Sequence, residues 1–488
     1  METGNVMDWE AVIGLEVHAQ LKTRTKLFCA CPTDFGAAPN TQVCPVCLGH
    51  PGVLPVVNAR AVEFAVRTGI ACGARVHPVS VFARKNYFYP DLPKNYQITQ
   101  YEHPLCEGGT IPVQVNGSAR PIALRRIHLE EDAGKSMHPE RAGETRSRID
   151  LNRCGVPLIE IVSEPEIRTP QEAHAFLVRL RQLVVWLDVC DGNMEEGSLR
   201  CDANVSVRPR GTGAFGTRTE LKNLNSFRFI ERSLAYEIAR QRGVLESGGE
   251  VDAETLLWDP AENRTRTMRG KEEEHDYRYF PEPDLPPLVL TEDWIEQVRA
   301  GLPELPGARS ARFVRDHGLP ESEADLLCGT RELADYFEEL LGAQIDARLA
   351  ANWVLSELSG RLNARGIPVA ASPVGPAALG ALVREVVDGR LSGRQAKQVL
   401  DEAFETGRRP SEIARERGLA QVSDESTLDR WVREVLESNP KQVAEYLAGR
   451  EGVLRFFAGQ VMRISGGQAN PSLLHERLRQ ELGRRRKP

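Results

Sequence analysis

Two pairs of cysteines lie close together near the start of the sequence and constrain how the chain can fold there. Cys29-Ala30-Cys31 and Cys44-Pro45-Val46-Cys47 place four thiols within a window of nineteen residues. Four thiolates on two short knuckles can complete a tetrahedral shell around Zn²⁺ and leave no position for water, so the metal would be structural. The alternative is four unligated thiols or a disulfide pair. The spacing predicts zinc and says nothing about a reaction.

Length and composition describe a globular protein with more than one domain. A chain of 488 residues is too long for a single core, so two to four domains are expected. The hydrophobic fraction of 41% and the charged fraction of 27% are those of globular rather than disordered or fibrous chains. With a net charge of −7, any nucleic acid would have to be bound by local basic patches.

The sequence also indicates where the protein works. No apolar run approaches the roughly 20 residues that cross a bilayer, and the first residues lack the basic and apolar regions of a signal peptide. These features predict a cytoplasmic protein with no membrane partner. The six remaining cysteines are expected to be buried, reduced thiols. They are Cys72, Cys106, Cys154, Cys190, Cys201 and Cys328.

The pattern of apolar residues divides the chain into a strand-rich part and a helical part. Two helices interrupt the strands, one starting at Thr169-Pro170 with threonine as N-cap and proline as first helical residue, the other covering Phe229 to Gly243. The proline-dense segment 280–287 ends the strand-rich part. We therefore predict an α+β fold. Its predicted domains are a β-rich domain at 8–292, a helical domain at 293–405 and a helical tail domain at 406–488.

The first predicted strand carries a carboxylate and an imidazole on one face. Side chains alternate along Val12 to Gln20, so Glu16 and His18 point away from the apolar residues at the odd positions. Two such groups can converge on one ion. A half-exposed strand has the same pattern without any ion, and for this strand alone both readings stay open.

Further acidic residues occur in three other segments and favour an ion. They are Glu130, Glu131 and Asp132 in HLEEDAGK, Glu160 in PLIEIV, and Glu195, Glu196 and Asp202 in MEEGSLRCDAN. Buried carboxylates need a partner or a cation, and several from different strands can form an oxygen cage for Mg²⁺. Since Mg²⁺ usually accompanies phosphates, ATP is the expected ligand. The candidate phosphate-binding residues are Lys85, Arg125, Arg126 and Arg200.

Common phosphate-binding loops are not visible in the sequence. Gly134-Lys135-Ser136 resembles the end of a P-loop, but the first glycine of that motif would fall at position 129, which is leucine. No G-x-G-x-x-G stands at a strand-to-helix turn. ATP would therefore bind on a sheet lined with acids and metal.

The stretch from Lys85 to Tyr96 is the densest aromatic segment of the chain. Basic residues interleaved with tyrosines can stack on a nucleic-acid base or on a ribose end. The alternative is a packed loop whose tyrosine hydroxyls are hydrogen-bonded within the protein.

Eight segments together resemble one family, the B subunits of the aspartyl/glutamyl-tRNA(Asn/Gln) amidotransferases. They run in order from about Val12 to Pro471 and are VIGLEVHAQL, KNYFYPDLPKNYQITQY, HLEEDAGKS, IDLNRCGVPLIEIVSEP, MEEGSLRCDANVS, ELKNLNSF, DYRYFPEPDLPPL and GQVMRISGGQANP. The resemblance implies an N-terminal domain related to the glutamine synthetase and guanidino kinase fold. It also implies a helical domain and a helical tail that touches tRNA, where six basic residues against two glutamates follow residue 470.

The resemblance implies a ligase reaction in two steps. ATP phosphorylates the side-chain carboxylate of a misacylated Glu-tRNA(Gln) or Asp-tRNA(Asn), and ammonia then displaces the phosphate to give the amide. A carboxylate is a poor acyl donor until it is activated, and Mg²⁺ neutralises the transferring phosphoryl group. No glutaminase nucleophile is visible in this chain. The implied partners are therefore an amidase-type glutaminase, which is the A subunit and supplies ammonia, and the small C subunit, together forming a heterotrimer.

The resemblance also assigns roles to individual residues. It implies Mg²⁺ ligands at Glu16, His18, Glu131 and Asp202, and zinc ligands at Cys29, Cys31, Cys44 and Cys47. Catalytic roles are expected for Lys85, Glu131 and Glu160. ATP contacts are expected from Lys85, Arg200 and Glu195. Two other functions stay open: a non-catalytic tRNA-binding scaffold in the same complex, and a free-standing kinase of a small carboxylate.

Overall fold

The computed structural model describes residues 8–137, 146–222, 224–270, 277–419, 425–466 and 469–485. The chain forms two compact units that divide between Leu305 and Pro306. All strands of the described residues lie in the first unit, and the described part of the second unit is helical. The predicted α+β class is therefore confirmed.

The first unit is built around one large sheet with smaller sheets beside it. Its strands are β1 (Trp9–Gln20), β2 (Arg75–Val76), β3 (Val79–Ser80), β4 (Ala83–Asn86), β5 (Tyr96–Thr99), β6 (Cys106–Glu107), β7 (Thr110–Val115), β8 (Ser118–Glu131), β9 (Lys135–Met137), β10 (Arg148–Asp150), β11 (Pro157–Ser163), β12 (Leu199–Pro209), β13 (Thr219–Lys222), β14 (Glu254–Asp259), β15 (Arg264–Gly270), β16 (Phe280–Pro281) and β17 (Leu288–Val289). Its helices are α1 (Ala59–Ala71), α2 (Pro170–Trp186), α3 (Phe227–Glu246) and α4 (Glu292–Ala300).

The large sheet brings together strands that are far apart in the sequence. Within the described residues it has ten strands in the order β15-β14-β13-β12-β1-β11-β8-β6-β2, and β7 pairs with β8. On the central strand β1, Glu16 lies opposite Asp202 of β12, while His18 lies opposite Arg200 of β12 and Glu160 of β11. Because side chains alternate along each strand, this register places these polar side chains on one face of the sheet.

The opposite face of the sheet forms the hydrophobic core. The odd-numbered residues of β1, from Ala11 to Ala19, are buried there together with apolar residues of α1, α2 and α3. Helix α2 starts as its sequence predicts, with Pro170 at its first position and the Thr169 hydroxyl accepting a hydrogen bond from the Glu172 N–H at 3.1 Å. Helix α3 covers the predicted segment with a few more residues at each end. Packing of these helices leaves the polar face of the sheet for chemistry.

The proline-dense segment and the two residues after it complete two small sheets of the first unit. Strand β16 pairs with β4, and β17 pairs with β3. The carboxylate of Glu282, whose side chain is fully buried, accepts two hydrogen bonds of 2.8 Å from the Arg84 guanidinium. A bidentate pair of this kind fixes both position and orientation. The chain after residue 280 is therefore held against a strand formed almost two hundred residues earlier.

The described residues of the second unit form helices joined by turns. They are α5 (Pro306–His317), α6 (Glu321–Leu327), α7 (Arg331–Leu341), α8 (Ala347–Asn352), α9 (Ser359–Arg365), α10 (Pro376–Val387), α11 (Gly393–Thr406), α12 (Pro410–Glu416), α13 (Glu425–Ser438), α14 (Pro440–Leu447), α15 (Leu454–Ile464) and α16 (Pro471–Arg484), with a π-helical turn at Trp353–Leu358. Helix α11 shows why they form: Ser392 and Gln395 make a reciprocal capping box, and Gly407 ends the helix at φ 70°. The helices predicted after residue 292 are confirmed.

The predicted division into domains 8–292, 293–405 and 406–488 stays a prediction. Compactness groups α4 with the first unit, because Trp294, Ile295 and Val298 pack against the core of the sheet. Helices α13, α15 and α16 enclose an apolar core of their own that includes Leu428, Phe457 and Leu478. None of the described helices combines the length and the apolar character needed to cross a membrane.

Candidate functional site

The four clustered cysteines converge in space. The sulfur atoms of Cys29, Cys31, Cys44 and Cys47 all lie within 4.8 Å of one another. The Cys47 sulfur accepts a hydrogen bond from the Cys44 N–H at 3.2 Å. A hydrogen bond from the Cys29 thiol lowers the pKa of Cys47 to about 4, although burial opposes the shift. A thiolate is therefore favoured at this position, and four sulfur ligands in this geometry fit a structural Zn²⁺.

A buried lysine accompanies the cysteine cluster. Lys26 is 1% exposed, and its Nζ lies 3.6 Å from the Cys47 sulfur and 3.4 Å from the Leu151 carbonyl oxygen. Four thiolates around Zn²⁺ carry two excess negative charges, and a buried ammonium offsets one of them. Lys26 is therefore positioned to stabilise the thiolate form of the cluster.

Loss of this ammonium is expected to weaken metal retention. We expect Lys26→Met to accelerate transfer of zinc to a competing chelator by about tenfold at neutral pH, because groups outside the ligand shell typically change metal affinity on that scale. Lys22→Met is the matched control, since Lys22 is an exposed lysine paired with Asp188. Chelator-monitored zinc release measures the rate. Equal rates for Lys26→Met and the wild type would contradict this role.

A second group of potential metal ligands lies on the polar face of the large sheet. His18 of β1, Glu130 of β8 and Glu160 of β11 each offer a ligand atom within 4.8 Å of the others. His18 Nε2 is 3.4 Å from a Glu160 oxygen and 3.7 Å from a Glu130 oxygen. We call these three residues the His–Glu group. They meet because β11 pairs with both β1 and β8 in the register described above.

The charges of the His–Glu group depend on one another. Burial opposes protonation of His18, but its hydrogen bond to Glu160 and the nearby carboxylates raise its pKa to about 9. Burial also opposes ionisation of Glu160, yet the charges of His128, His18 and Lys85 hold its pKa below the usual range. A proton thus rests on His18 between two ionised carboxylates, at a place where a cation could replace it.

The donor set of the His–Glu group fits a divalent cation. Two carboxylates supply oxygen ligands of the type that Mg²⁺ and Mn²⁺ prefer, and the imidazole adds a nitrogen. His128 lies beside them, with its Nε2 3.7 Å from a Glu160 oxygen. Its Nδ1 is buried and has no hydrogen-bond partner among the described residues. A buried imidazole nitrogen without a partner is costly unless a ligand satisfies it.

A further set of acids continues along the same face. Glu16, Asp202 and Glu220 lie on three neighbouring strands, and burial together with the charge of Glu160 raises the pKa of Glu16. Lys222 Nζ lies between two of them, 2.8 Å from an Asp202 oxygen and 3.0 Å from a Glu220 oxygen. The Asn204 amide donates to Glu16 at 3.1 Å. This acid set is therefore compensated by side chains of the protein.

Glu131 lies apart from the residues with which the sequence grouped it. It is on the opposite face of β8 from Glu130, where it pairs with the Lys94 ammonium and accepts the Ile98 N–H at 3.0 Å. Both side chains of the Lys94 pair are buried. The carboxylate that meets His18 is thus Glu130, because alternation along the strand sends Glu131 to the other side. The structure therefore brings Glu130, and not Glu131, to His18, and the roles of Glu131 as a Mg²⁺ ligand and catalytic residue stay predictions.

The residues predicted to contact ATP are dispersed. Arg200 donates to Asp132 at 2.7 Å, and the Gln20 side chain also donates to Asp132. Glu195 is exposed at a turn, where its backbone N–H bonds the Asn193 side chain at 3.0 Å. Arg200 is on the polar face next to His18, whereas the structure does not bring Glu195 to the His–Glu group.

Lys85 lies closer to the group than its position in the sequence indicates. Its Nζ is 4.9 Å from the centre of the Tyr277 ring and 5.9 Å from that of Tyr87. Burial opposes its charge, but the carboxylates of Glu130 and Glu160 raise its pKa. The acids therefore favour the charged form of Lys85, and its role as a phosphate-binding residue stays a prediction.

A cleft of about 270 Å³ adjoins the acids at Glu16. It is bounded by β1, β8, β11 and β12 and by the segment that follows β12. Its polar and aromatic lining includes Glu16, Arg125, Ser163, Asn204, Phe215 and Arg218. Arg125 is also paired with Glu164 at 3.2 and 2.9 Å. Two arginines and an exposed aromatic ring beside the Glu16 carboxylate are suited to a ligand with an anionic part and a planar part.

Several residues of this face were not assigned a metal-binding or catalytic role from the sequence, although Glu130 was among the acids that favour an ion. Glu130 and His128 are two residues apart in HLEE, and Glu220 and Lys222 are two apart in TELK, so each pair lies on one face of its strand. The spacing of two residues was therefore the sequence signal that could have grouped each pair. Which face of a strand carries the potential ligands depends on its pairing with strands that are distant in the chain, and the local sequence does not reveal that pairing.

Comparison with known proteins covers most of the chain. Residues 11–296 match the family described as the GatB/GatE catalytic domain, and residues 335–482 match the family described as the GatB domain. The chain is 54% identical over 477 residues to the B subunit of the aspartyl/glutamyl-tRNA(Asn/Gln) amidotransferase of Geobacter sulfurreducens, covering 98% of this chain and 100% of the relative. It is 52% identical over 476 residues to the protein of the same name from Moorella thermoacetica, with the same coverage.

Proposed function

This chain belongs to the GatB family, and from that premise we propose that it uses ATP to activate the side-chain carboxylate of a misacylated tRNA for amidation. Membership identifies the protein as one component of a tRNA-dependent amidotransferase, a ligase complex of more than one subunit. The proposed substrates are Glu-tRNA(Gln) and Asp-tRNA(Asn), which are the transfer RNAs in the names of its relatives.

One observation carries the proposal: His18, Glu130 and Glu160 converge from three strands, and the carboxylates of Glu130 and Glu160 raise the pKa of the half-buried Lys85. In the proposed first step a carboxylate oxygen of the aminoacyl side chain attacks the γ-phosphorus of ATP, and the bond to the bridging oxygen breaks so that ADP leaves. In the second step ammonia attacks the acyl phosphate carbon, phosphate leaves, and the ammonium proton is lost to give the amide. Both steps balance with ATP and ammonia as co-reactants.

The protein's own groups have separate tasks in this scheme. The His–Glu group would hold a divalent cation, which supplies charge neutralisation for the transferring phosphoryl group. Lys85 would bind a phosphate oxygen, and the cleft beside Glu16 would hold the nucleoside of ATP with Arg125 and Arg218 near its phosphates. Positioning and electrostatic stabilisation are the contributions that phosphoryl transfer requires from a protein.

The source of ammonia belongs to the same proposal. All six cysteines outside the four-sulfur cluster are buried, as predicted. Burial raises the pKa of five of them, Cys72, Cys106, Cys154, Cys190 and Cys201, so these thiols are poor nucleophiles for glutamine hydrolysis. An amidase-type glutaminase, the A subunit, therefore supplies ammonia in this proposal, and the small C subunit completes a heterotrimer.

Three further points complete the proposal. Zinc fills the four-cysteine site, where the convergence of the sulfur atoms supports it. The complex acts in the cytoplasm, where protein synthesis supplies the charged tRNA. The large sheet is related to the glutamine synthetase and guanidino kinase fold.

The test is a reconstitution of this chain with its glutaminase and small partner subunits. Radiolabelled ATP is offered with Glu-tRNA(Gln), with Asp-tRNA(Asn) and with the same tRNAs uncharged, and ADP and amide are quantified. We expect ADP to form only with a charged tRNA and a divalent cation, and amide to appear only when glutamine or ammonia is added. Amidation without ATP consumption would refute the proposal, and phosphorylation of free glutamate or aspartate would favour a free-standing kinase.

A further inference from the structure

Five tyrosines from two distant segments form one continuous array next to the His–Glu group. We define the tyrosine array as Tyr89, Tyr87, Tyr277, Tyr279 and Tyr101, in the order of their contacts. Successive ring centres are separated by 6.2, 6.0, 6.1 and 4.0 Å, and the last pair is stacked with planes only 5° apart. The chain has nine tyrosines in all, so more than half of them lie in this array.

Backbone pairing explains why the two segments meet. Strand β16, which follows Tyr279, pairs with β4, which precedes Tyr87. The Asn86 N–H donates to the Tyr277 carbonyl oxygen at 2.9 Å, and the Asn86 side chain donates to the Arg278 carbonyl oxygen at 2.8 Å. The array is thus held by main-chain hydrogen bonds and does not depend on ring contacts alone.

The ends of the array are open to solvent. Tyr89 is 50% exposed and Tyr101 is 44% exposed. A planar ligand can stack on exposed aromatic rings and shield them from water. Stacking of a base on tyrosine accepts any base, because every base has a π-face.

Basic residues connect the array to the acidic group. The Arg126 guanidinium lies 5.9 Å from the centre of the Tyr101 ring, and its Nη2 is 4.0 Å from a Glu160 oxygen. Lys85 Nζ lies over the rings of Tyr87 and Tyr277, and the carboxylates of Glu130 and Glu160 raise its pKa. Tyrosines with interleaved cations are the combination by which proteins bind single-stranded nucleic acid.

We propose that the tyrosine array binds the unpaired 3′ end of the charged tRNA, with a base stacked on Tyr101 and the aminoacyl carboxylate directed to the His–Glu group. This inference rests on the proposed function and adds the place where the substrate is held. The 3′ end suits the array because the carboxylate is attached to it, so its bases must lie close to the reacting group. The adenine of ATP is the competing occupant of the array. The proposed function places the nucleoside of ATP in the cleft that adjoins Glu16, and that cleft is lined by other residues than the tyrosines.

The experiment uses the complete complex and a charged tRNA with 2-aminopurine as its terminal base. Stacking on tyrosine quenches this fluorophore, so binding of the wild type is expected to lower its emission. We expect Tyr101→Ala to remove the quenching and to raise the KM for charged tRNA about tenfold, with the KM for ATP unchanged. Tyr101→Phe keeps the ring and is expected to behave as the wild type. Tyr236→Ala is the matched control, since Tyr236 is a tyrosine of α3 with 38% exposure.

Each outcome decides the question. An unquenched wild-type complex, or an unchanged KM for charged tRNA in Tyr101→Ala, overturns the proposal. A raised KM for ATP instead assigns the array to the nucleotide and overturns it as well. If quenching depends on Tyr101 but the wild type forms no ADP with charged tRNA, the array stands and the proposed function fails. The two ideas are therefore separable.

Discussion

Glu160→Gln is expected to reduce ATP-dependent activation of the charged tRNA by about 100-fold or more, the scale on which loss of one group that stabilises transition-state charge lowers kcat. The substitution preserves size but removes one of the two carboxylates that flank His18. The remaining donors would hold a divalent cation weakly, because the charge that attracts it is reduced. Single-turnover ADP formation in the reconstituted complex measures the effect.

The controls separate catalysis from folding. Glu196→Gln changes an exposed carboxylate at the turn before β12 and is expected to leave activation unchanged. His18→Asn, which alters another member of the same group, should produce a loss similar to that of Glu160→Gln. Glutaminase activity of the complex should persist in both variants. Activation at the wild-type rate in a folded Glu160→Gln complex would show that the His–Glu group is not the reacting site.

Cys44→Ser is expected to abolish zinc retention and to release the loop around it from the first unit. Structural zinc sites contribute on the order of 10 kcal/mol of local folding free energy. Residues 29–57 contain no helix and no strand of the sheets, so apart from the metal they are held mainly by hydrogen bonds such as those of Asn40 and Gln42 to residues 149–152. We expect zinc content to fall from about one ion per chain to almost none, and limited proteolysis to cleave this loop first.

A buried cysteine outside the cluster is the appropriate comparison. Cys72→Ala removes a thiol from the core that has no part in the four-sulfur site, so it should keep zinc and the slow proteolysis of the wild type. Both variants are analysed for metal content by mass spectrometry. Full zinc content in Cys44→Ser would mean that three sulfurs suffice, and an unchanged cleavage pattern would mean that metal does not order the loop.

Local sequence rules were sufficient for the central strands. Strict alternation in β1 separated Glu16 and His18 from the apolar residues, and the structure confirms that the apolar ones form the core. Alternation along LRCDAN likewise puts Arg200 and Asp202 on one face of β12, and the register puts them opposite His18 and Glu16. Side chains alternate with a period of two residues along any strand, so this alternation can be recognised without knowing which strand is the partner.

The choice between adjacent glutamates was beyond those rules. Glu130 and Glu131 are both acidic, and each would satisfy a local motif. Only the pairing of β8 with β11, in which Glu160 lies opposite His128, shows that the even-numbered face meets His18. One residue of register moves every side chain to the other face, so an ion-binding group assembled from three strands cannot be read from any one of them.

Contacts between segments that are distant in the sequence could not be predicted from local patterns either. The aromatic segment near Lys85 was recognised, but its continuation at Tyr277 and Tyr279 depends on the pairing of β16 with β4. The prolines after residue 280 indicated the end of the strand-rich part, since proline removes a backbone donor. The segment instead completes sheet edges, where a strand of two residues tolerates proline because few ladder hydrogen bonds are needed.

The late strands of the first unit also determine when its small sheets can be completed during synthesis. Strand β3 pairs with β17, and β4, which already pairs with β5, also pairs with β16, so one edge of each early strand awaits a partner made about two hundred residues later. At typical elongation rates this corresponds to roughly 10 to 40 s on the ribosome. During that interval these edges of β3 and β4 are unpaired and open to wrong partners. A nascent chain that ends before residue 280 should therefore be a preferred client of chaperones.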